Sequence, residues 1–479
     1  MLVSPTTPLF DYHYQLNSRK KVVVDYKIDH KVVNAGIWKK ISLTMTTIQQ
    51  LKQFRQGVYT ILGNGRDALF DLMDAVLITR GVKSFVELSL SPVFRRKWSS
   101  IYESLSDSKP PREKLMELYI KQIPHTQQIV LAGDHTAWPR LEAFTLKERT
   151  YEHQAQPMSG SKPVTLGQGY SSIVWIPELQ GSWALPLLHE RITSFTNPIQ
   201  KAAAQLKQVC EKLPTRPLSL WDAEYGCASF VKQTVDIAAD KLFRLRSNRL
   251  LYGEPKAYTG VGRPRIHGDK FKLNDSETWW TADQFVEFKD PKLGLLRLHL
   301  WRNLHFQQSA KIKMHLIQVQ RLNEDAVNQS KPLWLAWVGM DMPELSEFWR
   351  LYLRRFTVDH WYRFAKQRLH WTLPKLSTPE QCESWSDLLP LMTWQLWLAR
   401  DIVSDNPLPW QKPQTKLTPG RVAQAMGGVF GAIGTPAVAP KPRGKSPGWT
   451  AGKPRIRRIR YPTVKKATAK PKKEPAKSA

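Results

Sequence analysis

Apolar residues recur at helical spacing through the first part of the chain, between residues 46 and 122. Three or four positions separate them, so that each set falls on one face of a helix. The two clearest sets are Ile48, Leu51, Phe54, Val58 and Ile61, and then Leu69, Leu72, Met73, Val76 and Leu77. Gly63-Asn64-Gly65 lies between the sets and predicts a turn. The pattern predicts a helical domain over residues 45–125.

Short apolar runs replace this period after about residue 127, as expected for buried strands. The predicted strands are 127–133, 170–176, 183–188 and 217–221, and helices are predicted over 197–213 and 230–242. Strands followed by a helix, another strand and a further helix predict an α/β domain. Two of the runs end at a carboxylate, Asp134 and Asp222. Aspartate is common in turns at strand ends, so neither residue alone indicates a catalytic site.

A strand-rich stretch and a helical stretch follow. Residues 244–338 are rich in strands, of which the clearest are 295–300, 314–319 and 332–338. Helices are predicted over 376–430; they include an apolar, Trp-rich helix at 385–402 and a last helix that begins at Thr418-Pro419.

The two ends of the chain lack a regular pattern. Residues 1–44 show no clear period, which predicts a poorly ordered extension, and Met45 is a candidate alternative start. From residue 431 to 479 Pro, Gly, Lys and Arg dominate. Such a composition cannot bury a core, so this segment is predicted to be a disordered basic tail.

The net charge of the chain indicates which class of partner it binds. Its 71 Lys and Arg exceed its 41 Asp and Glu, which gives a net charge of +30. The excess is found in the tail and in the rest of the chain alike, and it predicts a polyanionic partner. Nucleic acid is the first candidate and an anionic membrane the second. The three cysteines have no C-x-x-C spacing, which predicts a reducing compartment without disulfides, and no apolar run suggests a membrane span.

Residues 352–366 contain the most informative motif of the chain. The segment has no Pro or Gly and reads as one helix. Five polar side chains fall within roughly 80° of one another on its helical wheel: Tyr352, Arg355, Asp359, Arg363 and Lys366. One carboxylate among three cations and a phenol suits a metal site beside a polyanionic backbone. A solvated, salt-bridged helix face is the alternative interpretation.

The spacing Tyr-(2)-Arg-(3)-acid-(6)-Lys resembles the signature helix of bacterial insertion-sequence transposases of the DDE type. The resemblance extends from about residue 46 to 375. It implies an RNase H-like catalytic domain over residues 126–375, with the strand-rich stretch at about 250–330 as a β-rich insertion. It also implies that Asp134, Asp222 and Asp359 form the catalytic triad. The family usually has Glu where this chain has Asp359.

The resemblance further implies a chemistry and its partners. The three acids would bind Mg²⁺, with Mn²⁺ as a substitute, and Asp222 would bridge two ions. The reaction would be DNA cleavage at the ends of a mobile element, followed by strand transfer into target DNA. The partners would be double-stranded DNA, at terminal inverted repeats and at the target, and a second copy of the chain in a synaptic homodimer. The location would be the bacterial cytoplasm, at the nucleoid.

Candidate DNA contacts lie inside and outside the signature helix. Within it they are Tyr352, Arg355, Arg363 and Lys366. In the helical domain they are Arg95, Arg96 and Lys97, which also suit the rim of a helix core. Arg263 and Arg265 in Gly-Arg-Pro-Arg resemble the core of an AT-hook, with a hairpin loop as the favoured alternative.

Other acids are weaker candidate ligands than Asp359. They are Glu190, Glu224, Asp341, Glu344 and Glu347. His135 is expected to have a structural role or to contact phosphate.

Three alternative functions stay open at this point. A DNA-binding relic of a transposase without catalytic activity is the main alternative, because Asp359 replaces the usual Glu. A glycosidase with paired carboxylates and a membrane-surface protein fit the basic charge less well.

Overall fold

The computed structural model describes residues 11–15, 23–27, 47–124, 128–153, 163–258, 260, 262–322, 331–442, 448, 450–454 and 456–466. Most of the predicted N-terminal extension, with Met45, therefore lies outside the described residues. Two short strands within it, β1 (Asp11–Gln15) and β2 (Val23–Lys27), form an antiparallel pair.

The N-terminal segment is helical, as the apolar spacing predicts. Its helices are α1 (47–62), α2 (Arg66–Ile78), α3 (Phe85–Leu88), α4 (Ser99–Asp107) and α5 (Arg112–Ile120). The periodic apolar residues of α2 are fully buried. Gly63 and Gly65 both have positive φ, of 67° and 71°, in the turn between α1 and α2. Glycine adopts this conformation without steric cost, which confirms the predicted break.

A large mixed sheet forms the centre of the molecule. Its first strands are β3 (Val130–Pro139), β4 (Thr150–His153), β5 (Val164–Trp175), β6 (Leu185–Ile192), β7 (Leu218–Trp221) and β8 (Asp240–Leu245). Strand β5 is antiparallel to β3, β4 and β6. Strand β3 is parallel to β7, and β7 is parallel to β8. Part of the sheet therefore has the order β6-β5-β3-β7-β8, with β3 at its centre.

The strand-rich stretch enlarges the same sheet. Its strands are β9 (Leu250–Tyr252), β10 (Lys270–Lys272), β11 (Gln284–Asp290), β12 (Gly294–Leu304), β13 (Met314–Leu322) and β14 (Leu333–Val338). Strands β11 to β14 follow one another as an antiparallel meander, and β14 pairs with β8. Strands β9 and β10 form a separate pair.

Helices pack against the sheet and follow it in the chain. They are α6 (Pro198–Cys210), α7 (Ala228–Gln233), α8 (Phe348–Leu353), α9 (Thr357–Gln367), α10 (Pro379–Ala399) and α11 (Pro419–Ile433). The predicted helix over 230–242 is wrong in its second half. Helix α7 ends at Gln233, and Leu242 lies in β8. Strand β8 is buried along most of its length, and a short apolar run of this kind fits a helix and a buried strand equally well.

The helices before and after the sheet pack together. Arg55 on α1 is 2 % exposed and forms two 2.8 Å hydrogen bonds with Asp74 on α2. It also donates to Gln395 on α10 and lies over the ring of Phe430 on α11. The segments 45–125 and 376–430, which were predicted as separate units, therefore share one core.

Part of the predicted tail contacts the sheet edge. Val464 forms an isolated bridge with Thr150 at the start of β4, and the amide of Tyr461 donates to the carbonyl of Phe144 at 2.8 Å. Lys466 pairs with the buried Glu152 at 2.7 Å. These residues of the basic segment thus contact the edge of the sheet, and disorder over 431–479 stays a prediction. None of the described helices is long and apolar enough to cross a membrane.

Candidate active site

Close packing of a glycine against a tryptophan brings the first two acids together. Gly133 on β3 is the register partner of Trp221 on β7 in a parallel pair. A Cβ atom at Gly133 would lie only 2.0 Å from the Trp221 ring. Glycine therefore leaves room for the Trp221 ring at this point. Asp134 follows Gly133 on β3, and Asp222 follows Trp221 directly after the end of β7, so the register places the two acids next to each other at the centre of the sheet.

Asp134 is buried within β3 rather than at its end. The strand continues to Pro139, which corrects the predicted end at Asp134. The side chain accepts a 2.8 Å hydrogen bond from the amide of His135 and pairs with Arg355 at 3.2 Å. Burial, with smaller contributions from the nearby Asp222 and Asp359, raises the pKa of Asp134 to about 8 against the opposing effect of Arg355. The pair with Arg355 therefore does not offset the effect of burial.

The signature segment, residues 352–366, is formed by the end of one helix, a turn and a second helix. Helix α8 ends at Leu353, residues Arg354–Phe356 form a 3₁₀ turn, and α9 begins at Thr357. The predicted single helix is therefore interrupted near its start. Short 3₁₀ stretches inside helices often mark functional positions. The turn contains Arg355 and lies directly before the turn of helix that contains Asp359.

Arg355 joins two of the acids. Its guanidinium lies 3.2 Å from Asp134 and 3.0 Å from Asp359, and its side chain is only 8 % exposed. Burial alone would lower the pKa of Arg355, but Asp134 and Asp359 raise it above its ordinary value. The interpretation as a solvated helix face is therefore wrong for Arg355. The side chain of Asp359 is 42 % exposed, and Arg363 on the next turn is exposed.

Lys366 and Tyr352 lie at the two ends of the row of five polar side chains predicted for this segment. Lys366 donates a 2.7 Å hydrogen bond to Thr136 on β3. Burial lowers the pKa of Lys366 to about 8, although Asp134 opposes this shift. Tyr352 is buried, and burial raises the pKa of its phenol. Both side chains thus face the protein and border the three carboxylates.

Asp222 begins a tight turn after β7, where the sequence predicts it. Its carboxylate accepts a 2.9 Å hydrogen bond from the amide of Glu224, as Asp commonly does in such turns. The turn positions Glu224 3.7 Å from His135. It also places the hydroxyl of Tyr225 3.3 Å from the other ring nitrogen of His135. His135 therefore has structural partners, and Glu224 is the nearest alternative acid.

Sequence reasoning missed Tyr362, which holds α9 against β3. Its hydroxyl donates to the carbonyl of Asp134 at 2.8 Å and lies 2.9 Å from the hydroxyl of Ser172 on β5. Tyr362 is three positions after Asp359, so the helical spacing could have placed both on adjoining faces. The partners on β3 and β5 could not be read from that spacing.

The remaining candidate residues are spread over the molecule. Arg95 and Arg96 both pair with the buried Asp71 of α2. Lys97 is exposed, and so are Arg263 and Arg265 in the loop between β9 and β10. Among the other acids, Glu190 pairs with Lys201 at 2.7 Å and Glu347 with Arg350 at 3.1 Å. Asp341 and Glu344 lie in or beside the loop that precedes α8.

The three carboxylates fit a hard divalent cation in their chemistry. Carboxylate oxygens are the ligands that Mg²⁺ and Mn²⁺ prefer, and the charges of Asp222 and Asp359 reach Asp134, whose pKa they help burial to raise. Within the described part of the chain no three His, Cys, Asp or Glu side chains form a ready-made metal cluster. Arg355 instead bridges Asp134 and Asp359.

A buried histidine behind the site makes stability dependent on pH. His189 lies 2.8 Å from the hydroxyl of Ser172 and packs against Tyr170. Burial lowers its pKa to about 3, with contributions from Arg112 and Lys366. The unfolded chain therefore binds this proton more tightly, so that the stability is fully present above about pH 6.5 and is lost as the pH falls toward 3.

We expect His189→Phe to flatten this dependence. Between pH 6.5 and 5 the wild-type protein should lose about 2 kcal/mol more than the variant, from roughly 1.4 kcal/mol per unit of pKa shift. Urea unfolding at several pH values in this range measures the difference. Parallel curves for the two proteins would contradict the prediction.

The family to which the chain belongs agrees with this geometry. A family model described as DDE superfamily endonuclease matches residues 58–302, slightly more than half of the chain. The matched region contains Asp134 and Asp222 and ends before Asp359. No curated protein matches the chain. Since this match covers more than half of the chain, the chain belongs to the DDE superfamily of endonucleases.

Proposed function

We propose that the protein is a DNA transposase that cleaves DNA at the ends of a mobile element and joins those ends to a target. The observation that carries the proposal is the convergence of three acids from β3, β7 and α9. Asp134 lies on β3 and Asp222 directly after the neighbouring strand β7, and Arg355 links Asp134 to Asp359. Membership of the DDE superfamily supports nuclease chemistry in general.

The sheet supports an RNase H-like core as the scaffold of the site. In the order β6-β5-β3-β7-β8 three antiparallel strands are followed by two strands parallel to β3. Strands β9 to β14 would then be a β-rich insertion between the core strand β8 and the helix α9. In this arrangement the first acid lies on the central strand, and the third arrives from a helix much later in the chain.

Asp134, Asp222 and Asp359 would hold divalent metal ions, Mg²⁺ with Mn²⁺ as a substitute. Bound there, the ions would supply activation of a water or 3′-hydroxyl and stabilisation of the departing oxygen. Arg355 would orient two of the carboxylates, because its buried guanidinium contacts both. Lys366 would add positive charge beside Asp134. Arg363, which is exposed on the same helix, would contact a DNA phosphate.

The wider surface would serve DNA binding. Lys97, Arg263 and Arg265 are exposed and would add sequence-independent contacts to phosphates. Synapsis of two element ends would need a second copy of the chain, and the proposed reaction would take place on DNA in the bacterial cytoplasm. Arg95 and Arg96 would support this surface indirectly, through their pairs with Asp71.

Cleavage of the coding locus with its flanking DNA tests the proposal. Purified wild-type protein is expected to make discrete cuts at the element ends in the presence of Mg²⁺ or Mn²⁺. Asp222→Ala is expected to abolish the cuts, while Asp341→Ala, an exposed acid outside the site, keeps them. Tight DNA binding without metal-dependent cuts in any protein would reject the proposal in favour of a non-catalytic DNA-binding relic.

A further inference from the structure

A cationic cavity lies away from the three carboxylates, where the ends of α2 and α9 meet the start of α11. Its volume is about 390 Å³, which is within the range of pockets that hold small ligands. Arg80, Arg368, Arg421 and His370 line it. The described residues that line the cavity include no aspartate or glutamate.

Neutral groups hold the guanidinium of Arg368. It donates to the carbonyl oxygens at the end of α2, which belong to Val76 at 2.9 Å, Leu77 at 2.6 Å and Thr79 at 3.2 Å. Burial, with a contribution from Arg80, lowers the pKa of Arg368 to about 10. The two guanidinium groups therefore repel each other across the cavity without an acid between them.

Arg421 adds a deeply buried cation. Arg421 is 6 % exposed, and its guanidinium donates a 2.7 Å hydrogen bond to the carbonyl of Lys412. Its Nη1 atom has no hydrogen-bond partner in the described structure and lies 3.5 Å from a carboxylate oxygen of Asp405. Asp405 is the single carboxylate paired with these arginines in the described residues, so positive charge remains in excess. Arg368, by contrast, forms no ion pair with a described carboxylate, and a buried cation without a matching anion is costly.

The start of α11 adds a second attraction for an anion. The helix has 15 residues, with Thr418 as its N-cap and Pro419 as its first residue. The partial positive charge of a helix N-terminus favours phosphate. Gly420 in this first turn lines the cavity, and a Cβ atom there would meet no other atom within 4 Å. The cavity is therefore open toward the helix end.

We propose that this cavity binds the phosphate group of a nucleotide, either free or within DNA. Arg80, Arg368 and Arg421 would supply charge-assisted hydrogen bonds, and the first turn of α11 would supply its dipole. Arg368 lies nine residues after Asp359, which is about 13 Å along the helix axis and about half a turn around it. The cavity thus faces away from the three carboxylates. The proposal requires neither bound metal nor nuclease activity, so it stands or fails apart from the proposed function.

Gly420→Glu is the decisive variant. It would place a carboxylate in the cavity at a helix N-terminus, where acidic residues are favourable, so the fold is expected to persist. Gly428→Glu is the matched control, because Gly428 is exposed on the same helix and a side chain there also meets no other atom. Arg80→Gln removes one cation at an exposed position. Melting temperatures in chloride alone verify that all variants fold.

Two probes distinguish the sources of the phosphate. In the first, inorganic phosphate or deoxyadenosine monophosphate is titrated at constant ionic strength. A rise in melting temperature of about 2–5 °C is expected for wild type and Gly428→Glu. Gly420→Glu should show no rise, and Arg80→Gln should need about tenfold more ligand. In the second, the salt dependence of DNA binding is measured, and its logarithmic slope should fall by about one for Gly420→Glu.

The pattern of results decides the source or rejects the site. A response to the small probes that Gly420→Glu alone abolishes identifies free phosphate or nucleotide as a ligand. A change confined to the DNA slope of Gly420→Glu identifies a DNA phosphate. Equal behaviour of the wild type, Gly420→Glu and Gly428→Glu with every probe would overturn the proposal.

Discussion

Asp134→Asn is expected to lower the single-turnover rate of DNA cleavage at least ~10³-fold while leaving the stability of the fold almost unchanged. Removing one metal ligand costs several kcal/mol of transition-state stabilisation, and each 1.36 kcal/mol is a factor of ten in rate. The pKa of Asp134 is raised to about 8 by burial. In the metal-free protein at pH 7 this side chain is therefore largely neutral already, and asparagine has the same shape as that neutral form.

Arg355 keeps a partner in this variant. Its second carboxylate, Asp359, still lies 3.0 Å away, so the buried guanidinium is not left alone. We expect the free energy of unfolding without metal at pH 7 to change by less than about 1 kcal/mol, as for most substitutions that create neither a cavity nor an unpaired charge. Single-turnover cleavage and urea unfolding of the same preparation measure the two effects.

Asp74→Asn is the matched control for this prediction. Asp74 is 4 % exposed and is held by two hydrogen bonds from Arg55 in the helical layer, away from the three acids. We expect this variant to lose stability but to cleave at the wild-type rate at a temperature where it is folded. Full cleavage by Asp134→Asn would remove Asp134 from the site and make Glu224, which lies beside His135, the next candidate.

The sequence predicts the parts of this site that depend on local pattern. Asp222 follows a short apolar strand, and the structure has that strand at Leu218–Trp221. The helical period likewise predicts helix over most of residues 352–366, where the structure has α9 at Thr357–Gln367. Local patterns of this kind are set by neighbours in the chain, and they can be read without knowledge of the fold.

Long-range contacts determine what the sequence did not reveal. Gly133 has no distinctive neighbours in the chain, and its role depends on the ring of Trp221 on a different strand. The burial of Arg355 depends on Asp134, which is 221 positions away. The docking of Lys466 depends on Glu152, 314 positions away. Composition predicts disorder for that basic segment because composition holds no information on a contact with one buried acid at the sheet edge.

The core that α1 and α2 share with α10 and α11 contributes to the stability of the protein. Arg55 is contributed by α1, and its partners belong to α2, α10 and α11. A chain segment before the sheet is thus joined to two helices after it. Since α10 also packs on β6, loss of this contact would loosen the layer that supports the sheet from behind.

Arg55→Met is expected to destabilise the protein by about 3–5 kcal/mol, because it leaves the carboxylate of Asp74 buried without a cation. The double variant Arg55→Met, Asp74→Leu should recover at least half of that loss, since both buried charges are then replaced by apolar groups of similar size. Arg66→Met removes an exposed arginine that lies over Tyr59 and should change the free energy by less than about 0.5 kcal/mol. Urea midpoints of the wild type, Arg55→Met, Asp74→Leu and the double variant measure the cycle, and Arg66→Met is measured beside them. A double variant as unstable as the two single changes added together would show that the helices are held by packing around Arg55 rather than by its pairing with Asp74.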